Sequence, residues 1–486
     1  MALIIRKNYI NKIFKCSLFG AVYILTGMRY SGKSTILKQF YEELQKENTP
    51  KENIKFIDLA KNHDKNKNAQ YLSELLDSLT RNSSEKQFLI IDNIEWAENW
   101  GHILHYHCKH QHHLYVYIAP KNSNNKTNKE LGKVFGINIE IYPFSFNEFL
   151  EYNQLNNKEK IENTTEKELF DEYMNYGGIP EVVENENIKH KRILIENNYQ
   201  NEIATIYYET YFVSFVKQLI KYLIETSGEI FSHKLFQKFI NKDARDYFGI
   251  YNLSRETLYN IISIINNMSL LQLCGLNKPS NKHILENCCY YVSDPSFYTL
   301  CPFLNEDSNR RLQSIVFTEF SRRNFPVFMK EYGDTMITFF NQKNNICIEV
   351  INTLKDKKTW NKIFNKLKQT KKAKKYVIST DETNYDMDDI KHVNIIEFLK
   401  DEEKITNGVA WMDNEIISIH NTISKFTEDF AEYTDLYKLR FYMDLLESEH
   451  LDNENKKRIK KQLNREIAKR MQLEEEYIQW LNEDDV

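Results

Sequence analysis

Within residues 22–44 a short apolar run, a glycine-bearing loop and a helix-forming stretch follow one another without a gap. Val22-Tyr-Ile-Leu25 has the apolar character of a buried strand, and Thr35 to Leu44 reads as helix. Between them stands Gly27-Met28-Arg29-Tyr30-Ser31-Gly32-Lys33-Ser34, the pattern G-x-x-x-x-G-K-S in full. Glycines there let backbone N–H groups wrap phosphates, and the positive end of the following helix faces the same anion. In this context Lys33 is expected to reach the β- and γ-phosphates, and the Ser34 hydroxyl to ligand Mg²⁺. The ligand implied is a nucleoside triphosphate, ATP, touched by Gly27 through Thr35.

The rest of the first third supports an α/β fold around that loop. Apolar runs at Val22–Leu25, Ile54–Leu59, Phe88–Asp92, Leu114–Ala119 and Ile137–Tyr142 are separated by longer polar or helix-patterned stretches. That rhythm predicts buried, mostly parallel strands with helical crossovers. Two Asn/Lys-rich tracts, Lys61–Asn68 and Lys121–Lys129, read as exposed loops, the second overhanging the nucleotide end of the sheet.

Phe88-Leu-Ile-Ile-Asp92 is an apolar strand ending in an acid, and Asp92 is the expected second Mg²⁺ ligand beside Ser34. Hydrolysing relatives usually carry a second acid next, to polarise water; here the residue is Asn93. An amide cannot accept a proton, though it can orient a water. Glu95, two positions on, is a candidate substitute. Slow hydrolysis, or none, is the expectation.

With 486 residues the chain has room for about three domains. Its formal charge of −4 gives no global field for nucleic acid or membrane. Seven scattered cysteines without C-x-x-C spacing indicate reduced thiols. No apolar run approaches the ~18 residues of a membrane span, and the apolar start is too short for a signal peptide. The expected location is cytoplasmic. The pattern turns helical from about Asn147 to Gly228, punctuated by Asn175-Tyr-Gly177-Gly178-Ile-Pro180. Residues 229–300 read as a small winged helix: Ser254 as N-cap, helix Leu258 to Met268, then strands Leu271–Leu276 and Cys288–Val292. Residues 311–400 return to mixed α and β, with Trp360, Ile363, Phe364 and Leu367 on one helix face. Residues 412–486 look almost wholly helical and charged.

Several stretches together carry a resemblance. They are Leu25-Thr-Gly27 through Ser34, Ile91-Asp92-Asn93-Ile94 with Trp100, and Tyr142-Pro-Phe-Ser145-Phe-Asn-Glu148-Phe149. Tyr176-Gly-Gly-Ile-Pro180, Tyr290-Tyr-Val-Ser-Asp294, Leu312-Gln-Ser-Ile-Val316 with Arg322-Arg323, and Lys391-His-Val-Asn-Ile-Ile-Glu-Phe398 follow in order. Over residues 1–400 the chain resembles a prokaryotic family of AAA-type P-loop ATPases with a C-terminal domain of uncharacterised function. The resemblance implies a P-loop domain over residues 1–150, a helical lid or linker over 151–228 and a winged helix over 229–308. It further implies a restriction-endonuclease-like module over 309–403, followed by a helical charged extension over 404–486 that has no counterpart. Three departures bear on catalysis. The family's Asp-Glu pair is Asp92-Asn93, and its Thr-Gly-Ser after the fourth strand is Ala119-Pro120-Lys121, with Asn122 or Ser123 as stand-ins. Its Gly-Arg is Gly132-Lys133, so Lys133 keeps a charge but loses the bidentate fork. In the endonuclease-like module the helix acid falls at Gln313, the strand Asp at Thr338, and Glu-x-Lys at Glu349-Val-Ile351. A lone carboxylate does not hold a metal, so nuclease chemistry is not expected and a degenerate scaffold is.

Other signals are weighed against plainer ones. His102, His105, His107, Cys108, His110, His112 and His113 crowd together, but their spacing fits no standard zinc pattern. Ten lysines between Lys355 and Lys375 could track phosphates, or could be the solvated face of the Trp360 helix. Arg255, Glu256, Tyr259 and Asn260 offer only one cation to a DNA groove. The resulting expectation is an ATP-binding switch or scaffold with weak hydrolysis, acting on a protein partner through its C-terminal helices. A nucleotide-dependent oligomer is also possible on this reading. The alternative is a DNA-binding winged-helix protein in which nucleotide is structural.

Overall fold

Val22 and Ile24 face one side of β1 (Val22–Thr26), Tyr23 and Leu25 the other, and all four are fully buried. A strand hidden on both faces needs helices on both. The computed structural model describes residues 2–406, apart from 16–21, 48, 81–84, 109–112, 122–124, 135, 205–209, 233, 237, 239–261, 263–264, 266–268, 277–287, 302–307, 334 and 371. Around β1 stand β2 (Ile54–Asp58), β3 (Gln87–Asp92), β4 (Leu114–Ala119) and β5 (Gly136–Glu140), in the order β2-β3-β4-β1-β5 and all parallel. Helices α1 (Lys7–Lys15) and α2 (Lys33–Lys46) pack on Tyr23 and Leu25. Helices α3 (Lys65–Thr80) and α4 (Trp100–Cys108) cover Val22 and Ile24. The five expected strands are all present. Because they are parallel, the ends of β1, β2 and β3 gather on one edge, and the glycine loop opens there.

The two polar tracts are less loop-like than their composition implies. Lys65–Asn68 forms the first turn of α3, because the Asp64 carboxylate accepts the N–H groups of Asn66 and Lys67. Asn68 is buried, and its amide donates to the carbonyls of Leu59, Asn62 and Trp96. Likewise, Asn125–Leu131 is helix α5, whose buried Glu130 accepts the Gly101 N–H at 2.9 Å.

The described residues between 146 and 225 are mostly helical, as expected: α6 (Phe146–Asn156), α7 (Lys158–Asn163), α8 (Glu166–Tyr176), α9 (Pro180–Val183), α10 (Ile188–Ala204) and α11 (Thr210–Glu225). Reciprocal capping boxes, Ser145 with Glu148 and Thr165 with Glu168, start α6 and α8. The Gly-Gly-Ile-Pro punctuation is an interlock. Gly177 has φ 73°, and a Cβ there would lie 1.7 Å from the Asp294 carboxylate, which accepts the Gly178 N–H at 2.7 Å.

β6 (Leu271–Gly275) and β7 (Cys288–Val292) pair antiparallel. The expected Ser254 cap and most of the helix ending at Met268 lie outside the described residues. Beyond them, α12 (Ser308–Arg322) precedes β8 (Phe328–Tyr332), β9 (Thr335–Asn341) and β10 (Ile346–Val350). After α13 (Lys357–Lys368) come β11 (Lys374–Ser379), β12 (Ile390–Asn394) and α14 (Ile395–Lys400). The sheet order is β12-β11-β10-β9-β8, parallel from β10 to β12 and antiparallel elsewhere. Ile363, Phe364 and Leu367 are buried, and Trp360 lies against Phe364 with ring centroids 4.7 Å apart, the face their spacing indicates. Residues 407–486 lie outside the described range. No helix among the described residues is long and apolar enough to cross a membrane.

Candidate functional site

The loop between β1 and α2 is a tight backbone structure. Gly27 has φ 126°, Gly32 φ 97° and Tyr30 φ 62°. Only glycine takes such angles without cost, which explains two of the three positions. At Gly27 the backbone passes so close to β5 that a Cβ would meet the Ile141 carbonyl oxygen at 2.2 Å. Gly32 is the N-cap residue of α2, so the helix begins on the motif lysine.

Lys33 is buried, and its ammonium donates to the carbonyls of Gly27 at 2.7 Å and Met28 at 2.9 Å. Burial pulls its pKa down to about 8, opposed chiefly by the carboxylates of Glu202 and Glu95. Ser34 Oγ donates to Asp92 Oδ1 at 3.0 Å. One strand, β4, separates β1 from β3, so about 10 Å of sheet lies between the two main chains. The first turn of α2 reaches across that gap. Burial raises the Asp92 pKa, and the Ser34 hydrogen bond offsets part of it. Two hard oxygen groups thus meet beside a lysine and a set of loop amides.

Asn93 stands next to Asp92 but does not face Ser34. It sits in the left-handed region, φ 56°, and its amide donates to Asp58 Oδ1 at 2.8 Å. Glu95 is likewise engaged: its carboxylate accepts the Lys121 N–H at 3.1 Å and tethers the segment after β4. Asn122 and Ser123, the expected stand-ins after β4, lie outside the described residues.

Lys133 lies away from the loop. It precedes β5, and β5 runs parallel to β1, so Lys133 lies at the end of the sheet opposite its own loop. There its ammonium donates to Glu130 at 2.5 Å. A residue placed before a five-residue strand, about 16 Å long, cannot touch a ligand held beyond that strand's far end.

Two residues that motif reading passed over hold the loop. Arg6 is buried; it donates to the Ser31 carbonyl at 2.8 Å and the Tyr142 carbonyl at 2.9 Å, and forks onto both oxygens of Glu148 at 2.8 Å. Pro143 O, near Arg6, also accepts from Arg322 of α12 at 3.0 Å. Glu202 of α10 accepts the Arg29 N–H, and burial raises its pKa to about 7. Nothing local marks Arg6, whereas Glu148 could be found as the N3 acid of a capping box beside Tyr142-Pro143.

Elsewhere, the buried Glu349 accepts the Thr338 N–H at 3.0 Å, the Thr338 hydroxyl at 2.9 Å and the Lys366 ammonium at 2.7 Å. Gln313 instead donates to Val350 O at 3.3 Å. Within the lysine-rich stretch, Lys366, Lys368 and Lys375 are ion-paired with Glu349, Asp388 and Asp389. His107 packs onto α3, with Nε2 3.3 Å from Ser73 Oγ and Nδ1 3.6 Å from Asp77.

A family model described as an AAA domain matches residues 20–150. An uncharacterized protein of Haemophilus influenzae is 24% identical over 353 residues, 70% of this chain and 84% of that protein. One from Methanocaldococcus jannaschii is 24% identical over 407 residues, 78% and 87% of the two chains. Among solved structures, a Walker-type ATPase of Pyrococcus abyssi gives a TM-score of 0.44 at 11% identity, covering 62% of this chain and 96% of that one. AMPPCP-bound DnaA of Aquifex aeolicus gives 0.23 at 12% identity, covering 53% and 91%. The family match and the loop's own geometry agree: residues 20–150 form an AAA-type P-loop NTPase domain.

Proposed function

We propose that this protein holds ATP at Gly27–Thr35 with weak or absent hydrolysis, and acts as a nucleotide-dependent switch or scaffold for a partner. The observation carrying this reading is the pairing of an intact loop with a disengaged second position. Lys33, Ser34 and Asp92 converge, while the Asn93 amide is spent on Asp58. Ser34 and Asp92 would hold Mg²⁺, which supplies Lewis-acid stabilisation of phosphate charge when bound. Loop amides and Lys33 bind and orient the phosphates, and the residue after Asp92 is an amide, which accepts no proton from water. Lys133, remote from its own loop, can serve only a nucleotide held by a neighbouring copy, which fits a nucleotide-dependent oligomer.

On this reading residues 229–308 are a winged helix, supported by the β6–β7 pair, and residues 309–403 a degenerate restriction-endonuclease-like module. Support for the degeneracy comes from Glu349, whose oxygens are taken by Thr338 and Lys366. The partner surface is assigned to residues 404–486. The DNA-binding alternative draws little from the lysine-rich stretch, since three of its cations already have carboxylate partners.

Titration with a fluorescent ATP analogue in Mg²⁺ tests the reading. Wild-type protein is expected to bind, Lys33→Ala to lose at least tenfold in affinity, and both to release phosphate slowly. Phosphate release at several turnovers per second would overturn the weak-hydrolysis reading. Absence of binding at millimolar nucleotide would overturn the whole.

A further inference from the structure

The x positions of G-x-x-x-x-G-K-S are free of the phosphate-cradling requirement that fixes its glycines, lysine and serine. In this chain three of them are read by one helix, α10. Met28 is buried in the same apolar cluster as Ile195, Tyr199 and Ile203. The Arg29 N–H donates to the Glu202 carboxylate, and the Arg29 guanidinium donates to the Asn201 carbonyl at 3.0 Å. Asn201 Nδ2 in turn donates to the Tyr30 hydroxyl at 3.2 Å. The helix therefore grips consecutive loop residues through an apolar contact, a carboxylate, a carbonyl and an amide.

Glu202 is the member with a chemical consequence. It is 3% exposed, bonded to an amide of the phosphate loop, and it is the leading negative charge felt by Lys33. Loop amides and the motif lysine are the groups a triphosphate recruits. One such amide already serves a protein anion, and that lysine feels its charge while donating to the Gly27 and Met28 carbonyls. A triphosphate brings about four further negative charges to the same place, and like charges in a poorly solvated site repel strongly.

We propose that α10 is a nucleotide-displaced latch: Glu202 stands in the phosphate loop as an internal anion that bound triphosphate evicts, loosening residues 188–204. This rests on the nucleotide-binding reading above and names its regulation. The output is set by what else α10 touches. Its apolar face shares a buried cluster with Leu219 and Leu223 of α11 and with Tyr290 of β7. Eviction of Glu202 thus repacks the junction between the P-loop domain and the β6–β7 region. This is a two-state element biased by a ligand with differential affinity for its states.

The test compares wild-type full-length chain with Glu202→Gln, which keeps shape and an acceptor oxygen but removes the charge. Affinity for a non-hydrolysable ATP analogue with Mg²⁺ is expected to rise about tenfold in the variant, within the usual range for coupled sites. Hydrogen–deuterium exchange on the wild type is expected to quicken in peptides spanning 188–204 when the analogue is added. The exchange arm needs no variant, so a Glu202→Gln protein that fails to fold leaves the proposal exposed to refutation. Equal or weaker analogue binding by folded Glu202→Gln, or slower exchange of α10 on binding, overturns the latch while nucleotide binding stands. Failure of both proteins to bind overturns the nucleotide reading and the latch with it.

Discussion

Replacing Arg6 with methionine keeps most of the side chain's length and removes the charge that ties the phosphate loop to the rest of the molecule. Arg6 and Glu148 are joined by two contacts of 2.8 Å, and their side chains are 2% and 16% exposed. Breaking a buried pair by removing one partner costs about 3–5 kcal/mol, because the remaining charge is left in a poor solvent. The Ser31 and Tyr142 carbonyls also lose a donor, each worth about 1 kcal/mol or more when buried. One compensation limits the loss: Glu148 keeps the Ser145 N–H at 2.8 Å through its capping box. The expected cost is about 4 kcal/mol, or a melting temperature lower by about 10 °C in a domain of this size. Differential scanning fluorimetry on Arg6→Met, Glu148→Gln and the double variant separates the pair from its surroundings. The double variant should recover at least about 1.5 kcal/mol relative to the sum of the single losses. ATP affinity should fall in Arg6→Met, since Ser31 loses its tie from outside the loop. A drop below 2 °C, or additive losses in the double variant, would refute the reasoning.

Two further expectations concern the loop and α10. Gly27→Ala places a Cβ 2.2 Å from the Ile141 carbonyl, on a strand edge fixed by the 2.8 Å bond from Ile141 N to Thr26 O, and should cost at least about 3 kcal/mol. In Gly32→Ala the nearest atom is Arg6 Nη1 at 3.4 Å, so only the left-handed backbone is penalised, by about 1–2 kcal/mol. Thermal melts showing Gly32→Ala to be the worse of the two would contradict this. The Glu202 pKa, raised by burial from 4.5 to about 7, fixes a sign for pH. The folded state holds that proton more tightly than the unfolded chain, so its contribution is complete below about pH 4.5 and is lost as pH rises through 7. Glu202→Gln should therefore gain on the wild type by up to about 3 kcal/mol between pH 5 and pH 8. Parallel stability curves for the two proteins across that range would exclude it.

The sequence by itself determined the parts that rest on local chemistry. Strand, glycine turn and helix around Lys33 are dictated by backbone angles and apolar periodicity, which neighbouring residues encode. The same holds for the five strands of the first sheet, the helices α6 to α11, and the buried face of α13. Composition misled at Lys65–Asn68 and Asn125–Lys129, where Asn and Lys look like loop. In the first of these stretches Asp64 capping and the three backbone carbonyls around Asn68 stabilise helix instead. Tertiary structure alone decided which charges serve the loop. Arg6 and Glu202 lie 25 and 173 positions from the loop residues they bind, Ser31 and Arg29 respectively, and no periodicity links such distances. It also decided which candidates serve elsewhere: strand direction sends Lys133 to the far end of the sheet, and one left-handed residue turns Asn93 toward Asp58. Motifs record what the backbone must do nearby, whereas electrostatic partners are chosen by whichever elements the packing brings together.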